Sequence, residues 1–403
     1  MSTLSERILG AAAGEYVDRK VDRAYAHDGT GVLALEAWKE MGGDRLGKET
    51  GYYIQFDHIV PANNGTTANL QHELRDFAKS SFMQFSDIGC GICHQLMGEG
   101  AVLPGEIVVG ADSHSVTLGA FGAFATGVGA TDMAAIWLTG ETWFRVPESV
   151  GIHLTGRLTG AAEAKDLALA YVGKLGTDGA TYQALEFVGE GTRHLSMDER
   201  LVLANLSVEA GAKAGLFYAD DVTLRYLKEH GQDASVQDYE PCSYRHELDL
   251  DLSDIVPLVA VPHRVDTVKP VDALAGMPLD QVFVGTCTNG RYSDLARFAR
   301  LVRDRKVAVR TIVVPASASV LEKAIRTGVL ADIIGAGCTI GTPGCGPCLG
   351  YHMGVLGEGE VCLSTANRNF RNRMGVGGEI YLGSVATAAA SALAGEIASP
   401  EAG

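Results

Sequence analysis

Apolar residues along the chain fall into short runs with two different spacings. Residues 106–114 (EIVVGADSH), 281–290 (QVFVGTCTNG) and 311–317 (TIVVPAS) are β-branched, of strand length, and run out into polar residues. Between the last two, residues 291–306 (RYSDLARFARLVRDRK) set Leu295, Phe298, Leu301 and Val302 at helical spacing. Strand, loop, helix and strand make a β-α-β unit, and therefore a parallel sheet. In such sheets chemistry collects at the C-terminal ends of the strands. The residues there are Asp112-Ser113-His114 and Cys287-Thr288-Asn289. Strand patterning restarts at 146–156 after a Gly-rich block, residues 230–254 are the most linker-like, and the Ala-rich residues 384–399 predict a last helix. The expectation is an α/β fold in three parts: 1–148, 149–250 and 251–403.

Composition narrows the function classes. At 403 residues the chain is long enough for two or three cores. Lys and Arg number 33 against 49 Asp and Glu, so the net charge is 33 − 49 = −16. That argues against a general nucleic-acid or anionic-membrane binder. An anionic substrate would need local arginines working against this field. The N-terminus lacks a signal-peptide layout, and the most apolar tract, 119–140, is interrupted by Asp132 and by glycines. A cytoplasmic location is expected. There, eight cysteines read as thiols or metal ligands rather than disulfides.

The Cys345-Gly346-Pro347-Cys348 stretch fits three chemistries. A thioredoxin-type redox site wants a small domain and a first cysteine at a helix N-terminus. A structural zinc site wants four ligands, and Cys338, His352 and Cys362 lie nearby in sequence. An iron–sulfur site takes the C-x-x-C pair plus a distant cysteine, for which Cys287 is the best candidate; three thiolates on a cubane leave one iron open. Spacing alone leaves all three standing.

Other polar clusters bear on the choice. Asp57-His58 and Asp112-Ser113-His114 pair a carboxylate with an imidazole, which fixes a tautomer and suits acid–base work. His94 follows Cys90 and Cys93 on a glycine-rich loop, where the two cysteines read as small buried residues. Residues 367–373 hold three arginines and three asparagines, a donor array for a carboxylate or phosphate. Asn205 and Glu209 stand four apart, on one face of an expected helix.

Taken together, these stretches resemble the aconitase superfamily, most closely the large subunits of its two-subunit hydro-lyases. The carrying motifs are DHIVP (57–61), GICHQ (91–95), VVGADSHSVTLGAFGAFATGVGATDMA (108–134), ANLSVEAGA (204–212), FVGTCTNGR (283–291), PGCGPCLG (343–350) and STANRNFRNR (364–373). The resemblance runs from AHDGTG (26–31) to residue 375, nearly the whole chain. It implies a three-domain aconitase-like core, with parallel or mixed sheets flanked by helices and no swivelling domain.

Roles follow from the resemblance residue by residue. It implies a 4Fe-4S cluster held by Cys287, Cys345 and Cys348, with one open iron. Asp57 and His58 would deliver a proton to the departing hydroxyl. His94 and His114 would hydrogen-bond the iron-bound water or hydroxyl, supported by Asp112 and Glu209. Asn205, Asn289 and Asn367 would donate near the sulfides. Arg368 and Arg373 would clamp substrate carboxylate, while His27 and Ser113 would line its pocket. The reaction implied is dehydration and rehydration of a 2-hydroxy di- or tricarboxylic acid. The preferred reading is 2-isopropylmalate to 3-isopropylmalate in leucine biosynthesis, with homocitrate to homoisocitrate next and methylmalate-type acids behind. A separate small subunit would carry the swivelling domain and the base for the carbon-bound proton. Ser115 and Thr286 depart mildly from the family pattern, which more often has Thr and Ser there. Neither a membrane nor a nucleic acid is expected as a partner.

Overall fold

Besides a two-stranded antiparallel ribbon, Tyr16–Lys20 with Glu141–Arg145, three larger sheets carry the chain in a computed structural model that describes residues 2–400. The first is built from β1 (Arg23–His27), β2 (Gly51–Gln55), β3 (Gln84–Ser86), β4 (Ile107–Gly110) and β5 (Phe124–Gly127). All pairs are parallel and the spatial order is β3-β2-β1-β4-β5. The run IVVG in β4 is buried throughout, the continuous apolar pattern of a strand covered on both faces. Chain order reverses at β1. That creates a crevice at the carboxyl ends of β1, β2 and β4, where His27, Asp57 and Asp112 emerge.

The second sheet, β6 (Ser149–Thr155), β7 (Ala184–Val188), β8 (Ala214–Phe217) and β9 (His246–Asp251), is also parallel, in the order β8-β7-β6-β9. Here the linker expectation for 230–254 needs correction. Residues 246–251 form β9 against β6, and only the stretch before them lacks regular structure. The alternating HELDLD of that segment was the strand signal.

The third sheet is mixed. It comprises β10 (Leu258–Ala260), β11 (Val268–Pro270), β12 (Gln281–Val284), β13 (Arg310–Val313), β14 (Thr339–Ile340), β15 (Val361–Ser364) and β16 (Glu379–Leu382). Its order is β11-β10-β16-β15-β12-β13-β14, with the β10 pairs antiparallel and the rest parallel. The β12-helix-β13 unit read from sequence is present; its helix, Tyr292–Val302, stops short of 306 because Arg303 turns extended. The Ala-rich segment forms the helix Val385–Ala394 between a Ser384 cap and a left-handed Gly395. The architecture is thus α/β, with parallel and mixed sheets flanked by helices. Among the described residues no helix is long and apolar enough to cross a membrane.

One continuous apolar core links the sheets, running from Tyr25 and Val108 through Ile152 and Phe187 to Phe283 and Leu382. The 3-10 helix Ser113–Phe121 lies directly on β8. A Cβ at Gly119 would sit 2.0 Å from the Gly215 carbonyl oxygen, so only glycine permits the contact. This contact fixes how far His114, on that helix, stands from the second sheet. Gly119→Ala should therefore cost about 1–3 kcal/mol by overpacking, read from a denaturant titration. Gly65→Ala, at the start of a helix where an added methyl meets nothing, should be neutral or slightly stabilising. Equal stability of the two variants would show that the sheets are free to separate here.

Candidate functional site

The loop after β2 is held by a carboxylate rather than by a strand. Asp28 accepts the backbone N–H groups of Asp57 (3.1 Å), His58 (2.8 Å) and Ile59 (2.9 Å), and the Gln71 side-chain amide (3.1 Å). This presents Asp57 and His58 to the crevice. Asp57 accepts His58 Nδ1–H at 2.6 Å and the Cys93 N–H at 2.7 Å. Burial opposes ionisation of Asp57, but His58, His27 and the Cys93 N–H hold it down at about 2. Burial likewise opposes charge on His58, yet the Cys345 sulfur and the Asp57 and Asp112 carboxylates raise it well above its ordinary value. The His27 ring stacks on His58 at 3.6 Å.

Asp112 is the hub. It caps the helix that starts at Ser113 by accepting the His114 N–H at 2.7 Å. Its carboxylate also accepts from His94 Nε2 at 2.9 Å and stands 3.6 Å from His27 Nε2, His58 Nε2 and His114 Nδ1. Burial opposes ionisation, but these four imidazoles hold it well below the carboxylate range. Burial lowers His94, which is therefore neutral near pH 7. With Nε2–H given to Asp112, its Nδ1 must accept the Tyr25 hydroxyl at 2.8 Å. His114 Nε2 donates to Glu209 at 2.9 Å, and Glu209 also accepts Arg368 Nε at 2.7 Å. Glu209 is not on the helix of Asn205, as the spacing suggested: that helix ends at Leu206 and Glu209 sits in the 3-10 turn Ser207–Ala210. The two side chains therefore serve different partners.

Cys287, Cys345 and Cys348 are buried in one apolar cluster, with Asn367 between two of them: its Nδ2 lies 3.4 Å from Cys287 Sγ and its Oδ1 3.9 Å from Cys348 Sγ. Asn205 Nδ2 donates to Cys287 Sγ at 3.1 Å and Asn367 Nδ2 at 3.4 Å. Arg373 Nη2 lies 3.7 Å from Cys348 Sγ, and Cys345 Sγ lies 3.7 Å from His58 Nδ1. Burial pushes the Cys287 thiol up to about 12 and Cys345 well above the thiol range. A thioredoxin-type cysteine needs the opposite shift, so that reading falls. The zinc reading falls on geometry. Cys338 and Cys362 belong to the third sheet's surroundings, Cys362 on β15 itself. Among the described residues the only set of three or more potential ligands within 4.8 Å of one another is His27, Asp28, Asp57 and His58. Asp28 there is committed to the loop it holds.

Two expected residues stay apart from this cluster. Asn289 gives its amide N–H to Asp294 at 2.9 Å, away from the thiols. Ser113 opens the 3-10 helix, beside the Asp112 hub, with no side-chain hydrogen bond of its own. Residues that sequence reading passed over do join it. Tyr25, Asp28 and Cys93 orient the Asp-His pairs, Thr117 accepts Asn205 at 2.7 Å, and Arg291 donates to the Cys287 and Thr288 carbonyls at 2.6 Å. Arg291 ends the FVGTCTNGR stretch, so its adjacency was a usable signal. The others sit in apolar runs or act through backbone, which spacing does not reveal. Thr286, at φ +73°, holds a left-handed conformation costly for a β-branched residue immediately before Cys287.

The family profile described as Aconitase family (aconitate hydratase) matches residues 4–395. A probable methanogen homoaconitase large subunit of Methanosarcina mazei is 53% identical, over 94% of this chain and 98% of that relative. A homoaconitase large subunit of Thermus thermophilus is 47% identical, over 99% and 97%. A 3-isopropylmalate dehydratase large subunit of Methanopyrus kandleri is 45% identical, over 99% and 98%. Among solved structures, the crystal structure of Thermococcus kodakaraensis aconitase X in its holo-form superposes with a TM-score of 0.54 at 12% identity, over 87% of this chain and 84% of that one. That likeness speaks for the fold alone.

The role of Asp28 is testable. Asp28→Ala strands three backbone N–H groups and should cost at least about 3 kcal/mol in urea unfolding. Asp28→Asn keeps one acceptor oxygen and should lose less. If alanine is tolerated as well as asparagine, the loop of Asp57 and His58 is held by something else.

Proposed function

The chain belongs to the aconitase family, and from that premise we propose that it is the large, cluster-binding subunit of a hydro-lyase. The substrate is a 2-hydroxy di- or tricarboxylic acid, isomerised by loss and return of water. We take 2-isopropylmalate to 3-isopropylmalate as the reaction. The 53% identical relative, described as a homoaconitase large subunit, favours homocitrate as a second reading. The sheets support reading 1–148, 149–250 and 251–403 as three domains, although β9 ends at Asp251. Unpaired cysteines throughout support a cytoplasmic setting.

Members of this family bind a 4Fe-4S cluster, and the observation that supports the reading here is that Cys287 and Cys348 both contact Asn367 in the buried cluster that also holds Cys345, with the Asn205 and Asn367 amides aimed at Cys287. Burial makes Cys287 and Cys345 resist ionisation when free, and metal binding relieves that cost by taking them as thiolates. Buried Arg373 Nε and His27 Nε2 have no hydrogen-bond partner, which suits an anionic ligand beside them. Cys287, Cys345 and Cys348 would hold the cluster. When bound, it supplies a Lewis acid at the iron that no cysteine occupies.

The remaining work falls to side chains. Arg373 presents free guanidinium donors to a substrate carboxylate, and Arg368 does so with the donors that Glu209 leaves open. His27 and Ser113 border that carboxylate. His58, kept protonated by Asp57, donates from Nε2 to the departing hydroxyl and takes the proton back on rehydration. His94 stays neutral, its tautomer fixed by Tyr25 and Asp112. His114 is fixed in the same way by Glu209 and orients the water. The carbon-bound proton goes to a base on the swivelling domain of a small subunit. The relatives' description as large subunits supports such a partner. Exposed Val376 (80%), Tyr351 (57%) and Phe370 (47%) flank the Cys348 and Arg373 loops and would meet it.

Two measurements test this. Anaerobic reconstitution should give about four irons per chain. Cys287→Ser and Cys345→Ser should abolish assembly, while Cys93→Ser should not; the reverse pattern would overturn the ligand set. Reconstituted chain should turn over 2-isopropylmalate only when a separate small subunit is added, and Phe370→Asp should raise the concentration of partner required. Substantial turnover by the chain alone would mean that the base lies within it.

A further inference from the structure

Lys165 is fully buried, the second residue of the helix Ala164–Leu175 beside the second sheet. It has no carboxylate partner. Its neighbour Asp166 is engaged elsewhere, accepting the Leu258 N–H at 2.9 Å and the Glu163 N–H at 2.8 Å. A buried amine without an ion pair is costly, so a compensating interaction must exist. Nζ donates to the carbonyl oxygens of Thr365 at 2.8 Å and Ala366 at 2.5 Å, across to the third sheet.

Those carbonyls are a junction. The Thr365 oxygen also accepts the Thr288 hydroxyl at 2.5 Å, and the Thr365 hydroxyl bonds the Gly285 N–H at 3.0 Å and carbonyl at 3.2 Å. Residues 285–288 carry Cys287, and Asn367 and Arg368 follow Ala366 directly. The same brace therefore sets the Cys287 thiol, the Asn367 amide that meets it at 3.4 Å, and the Arg368–Glu209 contact. Burial lowers the Lys165 amine to about 7, and the groups that most favour its protonated form against that burial are Cys287 and Cys348, so it takes up its charge as negative charge gathers on those sulfurs.

We propose that Lys165 is a positioning residue for the iron–sulfur site. It ties the Cys287 loop to the Asn367–Arg368 segment, and its charge offsets the negative charge that three thiolates bring when metal binds. This rests on the cluster-binding reading above. Nothing in the acid–base roles assigned to the histidines requires it.

The test compares wild type, Lys165→Met and Lys165→Gln. Cluster-free chains are followed by circular dichroism and thermal melting. Reconstituted chains are followed by iron content, iron retention under a chelator, and cluster reduction potential. Methionine fills the same space without a charge, so the cluster-free variant should fold and melt close to wild type. Its iron retention should fall about tenfold, the lower end of the loss expected when a group supporting metal ligands is removed. Its reduction potential should move to more negative values, because adding an electron no longer has a nearby cation to favour it. A Lys165→Met chain with unchanged retention and potential overturns the proposal and leaves the family reading intact. If both variants fail to fold without the cluster, the lysine serves the core and the proposal falls. A wild-type chain that takes up no four-iron cluster overturns the family reading and this one with it.

Discussion

A single carboxylate, that of Asp112, constrains how everything else in the crevice is placed. Asp112 lies two residues past a strand buried on both faces, largely shielded from water, where an isolated negative charge would be costly. It is tolerated because imidazoles from three other segments turn their nitrogens toward it, and because the helix it caps gives it the His114 N–H. The converse follows. With its Nε2–H pinned by that carboxylate, His94 has one tautomer, and the Cys345 sulfur, Asp57 and Asp112 together keep His58 charged. The acid–base states of the site are thus properties of the network rather than of single residues.

The network needs its segments at fixed separations, and the sheets provide them by different means. The first and third sheets contribute from the carboxyl ends of parallel strands, the usual location. The second does not. Asn205 and Glu209 come from the helix and turn that precede β8, reaching the crevice because Gly119 lets the Asp112-capped helix lie directly on that strand. Backbone contact at a glycine is less forgiving than side-chain packing, which suits a site where His114 must meet Glu209 at hydrogen-bond distance.

Much of this was legible in the sequence, and the reasons differ by residue. Strand-end chemistry at Asp112 and Cys287 followed from β-branched runs breaking into polar residues. The aconitase resemblance then brought the distant cysteines together, which no periodicity can do. The departures have physical causes. Glu209 left the helix of Asn205 because the chain tightens into a 3-10 turn before Gly211, which spacing does not register. Asn289 turned away because Asp294, at N3 of the next helix, is a closer acceptor than any thiol. Residues 246–251 passed as linker because three of the six are acidic and the alternation is short. Lys165 and Asp28 were invisible because their partners are backbone groups far along the chain.

The remaining tension is between the global charge and an anionic substrate. A net charge of −16 repels a dicarboxylate at long range, but screening confines that repulsion to about 8–10 Å from each exposed charge in physiological salt. Inside the crevice the balance reverses. Asp57, Asp112 and Glu209 are each already matched by imidazole or guanidinium, so their charges are largely spent on neighbours. Arg368 is bound through Nε and Arg373 touches Cys348 through one Nη, which leaves donors on both guanidiniums unclaimed. A carboxylate entering there exchanges water for preorganised forks in a low-dielectric setting, where each contact counts for more than on the surface. The acidic net charge is therefore compatible with the small anionic acid proposed as substrate, because the crevice offers it donors that the surrounding carboxylates have not claimed.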